Sequence, residues 1–333
     1  MYVYIYKLMK RHVLIICGLS AYKNRMDKLD YNFMVYLQNN SKYNVTLHET
    51  NTDQDNITQI VNNDPNSIII VFSCCPEYVK QFTNTKIFYV YDYCCTCCRK
   101  CDGSPKNCGF RSQIEYIKNM GFNYVFYKYE NYLSNSMFND RSLLKFKFPH
   151  FMFDTNLYNN KQLPKEYDIL FYGATYPEGY PFRNRLYYLL KKNTNKFNIK
   201  FLPYTKKHLE NMITGEKLVL EINKSWLTIA TKNIADLLLA KYYEIAMSGS
   251  VVCGNYPDLD DEQFLRKHMV YIDDDMTDDQ IISIIENSLK DKKRLLEIPN
   301  ITYEYFANKY TMAHGVTYFD KLIDKVYFDA HNK

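Results

Sequence analysis

Three polar residues lie at helical spacing within the mostly apolar stretch DLLLAKYYEIAMSGSVVCGNYPDL, residues 236–259. Lys241, Glu244 and Ser248 occupy positions i, i+3 and i+7, so one face of a helix would carry all three. An ammonium group and a carboxylate on one face can bind a polar ligand through complementary hydrogen bonds. The same spacing is also typical of a solvated helix face, and spacing alone favours that interpretation.

The same stretch indicates the elements that would position these residues. Asp236 is suited to an N-cap, residues 237–247 predict a helix, and Gly249 stands where a left-handed residue commonly ends one. The apolar run at 251–253 then predicts a short strand covered on both faces.

Cysteines form a second group with chemical potential, because eight of the ten lie between residues 74 and 108. Overlapping C-x2-C pairs occur in YDYCCTCCRKCDGSPKNCG, and thiolates at such spacing can enclose a tetrahedral zinc ion. The spacing differs from a standard zinc knuckle, so disulfides and free thiols are the alternatives. The candidate zinc ligands are Cys94, Cys97, Cys98, Cys101 and Cys108.

Composition indicates an ordinary globular protein. A length of 333 residues predicts two domains, and 47% hydrophobic with 24% charged residues can form a sizeable core. A net charge of +5 does not suggest a nucleic-acid partner. No apolar run approaches the roughly 20 residues of a membrane span, and the apolar core at 13–17 is too short for a secretory signal. We therefore expect a soluble, intracellular protein without a transmembrane segment.

Strands alternate with helices in both halves of the chain, which predicts an α/β fold with parallel sheets. The strands SIIIVF at 67–72 and IFYVY at 87–91 are the strongest in the first half. Since ligands bind outside the carboxyl ends of such strands, we expect Gly18, Ser73 and Asp92 to lie on a functional edge.

A polar segment between two prolines separates the halves and is typical of a linker. The alternation resumes with YDILFY at 167–172, and an amphipathic helix from about Thr302 to Phe328 closes the chain. We expect a Rossmann-like first domain at 1–150, a linker at 151–165, a second domain at 166–301 and a C-terminal helix within 302–333.

The order of segments from residue 167 to residue 324 resembles the C-terminal half of a GT-B glycosyltransferase, and more narrowly the CgeB-like group of family 1-type glycosyltransferases. These segments are YDILFYGATYPEGYPFRNRLYYLL, LAKYYEIAMSGSVVCGNYPDL, MVYIDDDMTDDQIISIIENSLKD and an aromatic-rich terminal helix. The individual motifs are degenerate, and their order carries the resemblance. The Tyr-, Asn- and Ile-rich composition is also familiar from large DNA viruses, where such a protein would act in the host cytoplasm or a viral factory.

The resemblance implies two Rossmann-like domains facing a cleft, with the last helix crossing back to the first domain. It implies a transferase that moves a sugar from a nucleotide-sugar donor, such as a UDP-sugar, to a glycan, protein or small-molecule acceptor. It also implies catalysis without a metal. Because fold does not fix function, the alternative is a non-catalytic, metal-stapled binding protein on the same scaffold.

The resemblance places the donor on the second half of the chain. Glu244 falls at the family's glutamate, whose two oxygens suit a ribose diol, and Lys241 stands where relatives often have Arg beside the diphosphate. Asp92 is the candidate base that deprotonates the acceptor. The other expected donor-binding residues are Gly173, Ala174, Thr175, Arg183, Tyr204, Tyr243, Ser248, Gly249 and Ser250, with Arg185 and Trp226 as further candidates.

Overall fold

The computed structural model describes residues 11–19, 29–50, 52–72, 76–90, 117–128, 142–148, 152–202, 213–234, 236–257 and 263–331. The chain divides into two compact units. The second unit is Phe153–Thr311, and the first contains the residues up to Met152 together with those from Met312 onward.

The first unit is built on a parallel sheet with six strands among the described residues. Long apolar runs form its central strands, because strands covered on both faces cannot alternate with polar residues. The strands are β1 (His12–Cys17), β2 (Asn44–Glu49), β3 (Ile68–Phe72), β4 (Thr85–Val90), β5 (Tyr124–Tyr127) and β6 (Leu144–Lys147), in the order β2-β1-β3-β4-β5-β6. The helices that precede β5 among the described residues include α1 (Leu29–Asn40), α2 (Gln54–Asn63) and a short 3₁₀ helix at Glu77–Gln81.

The second unit has a parallel sheet with five strands among the described residues. Its strands are β7 (Tyr167–Phe171), β8 (Ile199–Phe201), β9 (Ser225–Ile229), β10 (Val251–Gly254) and β11 (Val270–Tyr271), in the order β11-β10-β9-β7-β8. The helices are α3 (Pro181–Lys192), α4 (Gly215–Asn223), α5 (Ala240–Met247), α6 (Gln263–Lys267), α7 (Asp278–Lys290) and α8 (Lys292–Ala307).

The strand order of the second sheet defines where a ligand is expected. The chain first adds β8 on one side of β7 and then β9, β10 and β11 on the other side. The loops that leave β7 and β9 therefore turn away from each other and open a crevice at the carboxyl ends of these two strands. Any candidate site in this unit should be sought at that switch point.

The helix predicted from residue 237 begins later, so its predicted N-cap is wrong. Leu239 is the N-cap of α5 and offers no side-chain acceptor. Asp236 instead has a left-handed φ of 56°, and its carboxylate pairs with Lys232 Nζ at 2.9 Å. Leu237 and Leu238 are buried ahead of the helix, which explains why an apolar run was mistaken for its first turn. The predicted left-handed stop is confirmed, since Gly249 has a φ of 79°.

The predicted single helix from Thr302 to Phe328 is also wrong, because the chain breaks between α8 and a last helix, α9 (Met312–His331). The N–H groups of Lys309 and Tyr310 both donate to the carbonyl of Phe306, which closes α8. The N–H of Phe153 donates to the Tyr310 carbonyl at 2.8 Å, so this break is tied to the start of the second unit. In the part of the chain that the structure describes, no helix is long and apolar enough to cross a membrane.

Candidate functional site

Arg183 bridges the switch point between β7 and β9. It lies in the first turn of α3, and its side chain is almost wholly buried. Its Nη1 donates to the carbonyl of Ala174, which follows β7, at 3.3 Å. Its Nε and Nη2 donate to the hydroxyl and carbonyl of Thr231, which follows β9, at 3.0 and 2.9 Å. One guanidinium therefore joins the two loops that form the crevice.

Lys241 brings a second buried cation to the same crevice. It is the second residue of α5, its Nζ donates to the carbonyl of Tyr172, and it lies 3.8 Å from the centre of the Tyr172 ring. A Cβ placed on Gly173 would lie 2.5 Å from Lys241 Nζ and 3.5 Å from Arg183 Nη1. Both cations thus face one glycine, whose φ of 94° also disfavours any other residue.

Glu244 is the carboxylate that accompanies these cations. It stands one turn after Lys241 on α5 and is 5% exposed. Its Oε2 accepts a hydrogen bond from the Tyr172 hydroxyl at 3.0 Å. Burial, followed by the charge of Glu244, raises the pKa of Tyr172 well above its usual range, so the phenol remains a donor.

The electrostatics of the crevice favour an anionic ligand. Burial lowers the pKa of Lys241 well below its usual range, Arg183 lowers it further, and Glu244 opposes both effects. Burial also lowers the pKa of Arg183. The first turn of α5 adds the positive end of a helix without a side-chain cap. A bound anion would offset the desolvation that both cations undergo.

The structure brings six of the expected donor-binding residues together at this edge. Gly173, Ala174 and Thr175 form the turn after β7, and the Thr175 carbonyl accepts from Asn184 Nδ2 at 2.6 Å. Arg183, Lys241 and Glu244 converge on that turn as described above.

Ser248, Gly249 and Ser250 are not part of this group. They connect α5 to the beginning of β10 and therefore lie at the amino-terminal edge of the parallel sheet, opposite the crevice. Lys165 Nζ donates to the Gly249 carbonyl and, at 3.0 Å, to the carbonyl of Ser225, where β9 begins. We therefore remove these three residues from the candidate site.

Two further candidates, Tyr243 and Trp226, have structural contacts elsewhere. Tyr243 is buried in an aromatic cluster, with ring centres 5.1 Å from Phe306 and 5.0 Å from Tyr310. Trp226 lies at the start of β9, again at the amino-terminal edge, with Lys292 Nζ 4.3 Å from its ring centre.

Arg185 is bound to the loop that follows β11. It donates to the carboxylate of Asp278 at 2.7 Å and to the carbonyls of Asp274 and Met276. Its role is to fasten the loop that leads into α7.

Several predicted residues lie outside the described residues. Ser73, Asp92 and Tyr204 are three of them, and the five candidate zinc ligands, Cys94, Cys97, Cys98, Cys101 and Cys108, are the others. Cys17 and Cys253 are buried free thiols, and burial raises the pKa of each to about 12. Within the described ranges, no three His, Cys, Asp or Glu side chains are grouped to hold a metal ion.

Sequence reasoning missed Tyr172 and Thr231. Both are buried, and each follows a strand that borders the switch point. A signal for them was available, because the residues directly after the first and third strands of such a unit line its crevice.

The chain has the fold of GT-B glycosyltransferases, as the resemblance led us to expect. Sucrose-phosphate synthase from Thermosynechococcus elongatus is similar with a TM-score of 0.65 and 8% identity, over 96% of this chain and 100% of that one. A glycosyltransferase from Rickettsia africae is similar with a TM-score of 0.57 and 10% identity, over 95% of this chain and 98% of that one.

Anabaena HepE, solved in complex with UDP-glucose, is similar with a TM-score of 0.55 and 10% identity, over 94% of this chain and 99% of that one. At such identities the likeness establishes the fold. No protein-family profile matches the sequence, and no curated protein matches it either.

Proposed function

We propose that this protein is a glycosyltransferase that takes its sugar from a nucleotide-sugar donor such as a UDP-sugar. The observation that carries the proposal is the pair of buried cations, Lys241 and Arg183, that faces Gly173 at the switch point. A diphosphate has the charge to pair with both cations, and glycine has no side chain to keep its oxygens from the main chain.

In this proposal each residue has a defined task. Arg183 and Lys241 neutralise the donor diphosphate, and the turn at 173–175 lets it approach the main chain closely. Glu244 accepts hydrogen bonds from the ribose hydroxyls. Asp92 remains the proposed base that deprotonates the acceptor, which is a glycan, a protein or a small molecule.

The proposal includes metal-independent catalysis and membership of the CgeB-like group. Two protein cations would stand beside the diphosphate. They would offset the negative charge that a divalent metal ion otherwise neutralises. We expect turnover of the donor to be unchanged when magnesium is added. The order of segments from residue 167 onward supports the narrower group, and an origin in a large DNA virus stays a prediction from composition.

Calorimetric titration with UDP, GDP and UDP-glucose tests the donor site directly. The variants Arg183→Gln and Arg185→Gln form a matched pair, because they make the same change two residues apart on α3. Loss of a charge-assisted contact predicts about 10- to 100-fold weaker nucleotide binding for Arg183→Gln. Arg185→Gln should bind as the wild type does. Absence of nucleotide binding by the wild type, or equal loss in both variants, would sink the proposal.

Zinc in the cysteine-rich segment is a separate proposal. Its support is the C-x2-C spacing of Cys94, Cys97, Cys98 and Cys101, with Cys108 as a further ligand. Elemental analysis of protein purified without added metal should find about one zinc per chain. Zinc-free protein that remains folded would contradict it.

A further inference from the structure

Tyr172 contacts both charged side chains of the proposed donor site. Its carbonyl accepts from Lys241 Nζ, and its ring centre lies 3.8 Å from the same nitrogen. Its hydroxyl donates to Glu244 Oε2 at 3.0 Å. The residue is 7% exposed and directly follows β7. One residue therefore contacts both charged groups, Lys241 through its carbonyl and ring and Glu244 through its hydroxyl.

These contacts matter because Lys241 and Glu244 are one helical turn apart and carry opposite charges. Side chains at this spacing on a helix readily pair with each other, and burial strengthens the attraction. In the structure, the Lys241 ammonium donates to the Tyr172 carbonyl, and the Glu244 carboxylate accepts from the Tyr172 hydroxyl. Tyr172 thus offers each side chain a different partner: the ring and carbonyl for the ammonium, and the hydroxyl for the carboxylate.

The hydroxyl is well suited to this task. Burial and the neighbouring carboxylate keep the phenol protonated, so it donates at every pH at which the protein would be assayed. An ordinary core aromatic would need only the ring, and a phenylalanine would supply it. The hydroxyl of Tyr172 is explained by its contact with Glu244.

We propose that Tyr172 is a positioning residue that keeps Glu244 and Lys241 apart, so that the carboxylate is held for the ribose hydroxyls and the ammonium for the phosphates. This inference rests on the proposed function, since it concerns the same nucleotide. Without the hydroxyl, Glu244 loses its contact with Tyr172, and the charge of Lys241, one turn away on the same helix, draws the carboxylate toward it. The site would then lose its recognition of the ribose.

The test compares UDP with 2′-deoxy-UDP on the wild type and on Tyr172→Phe, by calorimetry. The wild type should bind UDP about tenfold more tightly, because a hydroxyl bonded to a buried carboxylate is lost in the deoxy form. Tyr172→Phe should bring this ratio close to one. Tyr187→Phe is the matched control: its ring packs 5.5 Å from that of Phe171, and it should keep the wild-type ratio.

A second variant makes the result independent of a general loss of affinity. Glu244→Ala should also bring the ratio close to one, because it removes the acceptor. Adding Tyr172→Phe to it should then change UDP affinity less than twofold, since the Tyr172–Glu244 contact is already absent. Tyr172→Phe keeps the ring, and circular dichroism checks its fold. If that single variant does not fold, the comparison of the double variant with the Glu244 variant still decides the question, because neither protein buries the Glu244 carboxylate.

The outcomes distinguish the two proposals. Wild-type protein that binds no UDP contradicts the proposed function itself. UDP binding with an unchanged ratio in Tyr172→Phe, or fully additive losses in the double variant, overturns the role of Tyr172 and leaves the donor site standing.

Discussion

At the scale of single residues, the two buried cations make the proposed donor site sensitive to pH. The pKa of Lys241 is lowered chiefly by burial and then by Arg183. Its ammonium form therefore becomes less populated at a lower pH than that of an exposed lysine. A diphosphate binds the ammonium form, so the affinity for the ligand depends on the protonation of Lys241.

We predict that UDP affinity falls as pH rises, and that the fall begins below the range in which an ordinary lysine titrates. Lys241→Arg should bind UDP with little change over the same range, since arginine stays charged. Calorimetry at a series of pH values measures this. A wild-type affinity that does not change with pH would rule out Lys241 as a titrating ligand-binding group.

Lys165 supplies a prediction for stability. Burial lowers its pKa to about 8 from 10.5, while its Nζ donates to the carbonyls of Asn223, Ser225 and Gly249. Between these pH values the unfolded chain binds more protons than the folded chain, so the free energy of unfolding rises with pH. The rise should reach about 3 kcal/mol over the whole interval.

Urea unfolding of the wild type and of Lys165→Met at pH 7.5 to 10 checks this prediction. The stability difference between the two proteins should shift in favour of the wild type as pH rises. A difference that stays constant with pH would mean that Lys165 is not desolvated by the fold.

At the scale of elements, the turn that follows β7 needs glycine at position 173 for two reasons: its backbone conformation and the nearby side chain of Lys241. Any other residue there must accept a φ of 94° and also meet the Lys241 ammonium at 2.5 Å. Gly215 also has a positive φ, of 57°, but nothing lies within 4 Å of its Cβ position. A substitution at Gly215 therefore causes backbone strain alone, whereas a substitution at Gly173 also causes a steric clash with Lys241.

Alanine at either position should destabilise the fold by about 1 kcal/mol through strain. Gly173→Ala should in addition displace Lys241 and weaken UDP binding about tenfold or more, whereas Gly215→Ala should leave binding intact. Thermal unfolding and calorimetry on the same samples give both readings. Equal binding by the two variants would contradict the placement of the anion beside Gly173.

The elements themselves were predictable to different degrees. The continuous apolar runs at 67–72 and 87–91 predicted strands, and the structure has strands at Ile68–Phe72 and Thr85–Val90, because strands covered on both faces need no polar alternation. The start of α5 was predicted wrongly because Leu237 and Leu238 are equally suited to a helix and to a buried extended segment. Only tertiary packing distinguishes these possibilities.

The candidate site was predictable in part. Arg183, Lys241 and Glu244 were found from segment order, yet Ser248, Gly249 and Ser250 were wrongly grouped with them. The direction of the chain could have corrected this: a turn from a helix into a parallel strand lies at the amino-terminal edge of the sheet. Tyr172 was missed because an aromatic residue at a strand end is most often core.

At the scale of the whole molecule, the two sheets begin with the same strand topology. In each, the second strand of the unit lies on one side of the first, and the later strands lie on the other. This arrangement fixes one crevice per sheet from topology alone. In the second sheet that crevice is where the buried cations lie, so strand order and charge identify the same place independently.

A crystal structure of the protein with UDP would show where the donor nucleotide binds. We predict density for the diphosphate beside Gly173, within hydrogen-bonding distance of Lys241 Nζ and the Arg183 guanidinium, and for the ribose beside Glu244. Well-defined UDP at the amino-terminal edge beside Gly249, or anywhere that leaves Lys241 and Arg183 without a phosphate contact, would contradict the account.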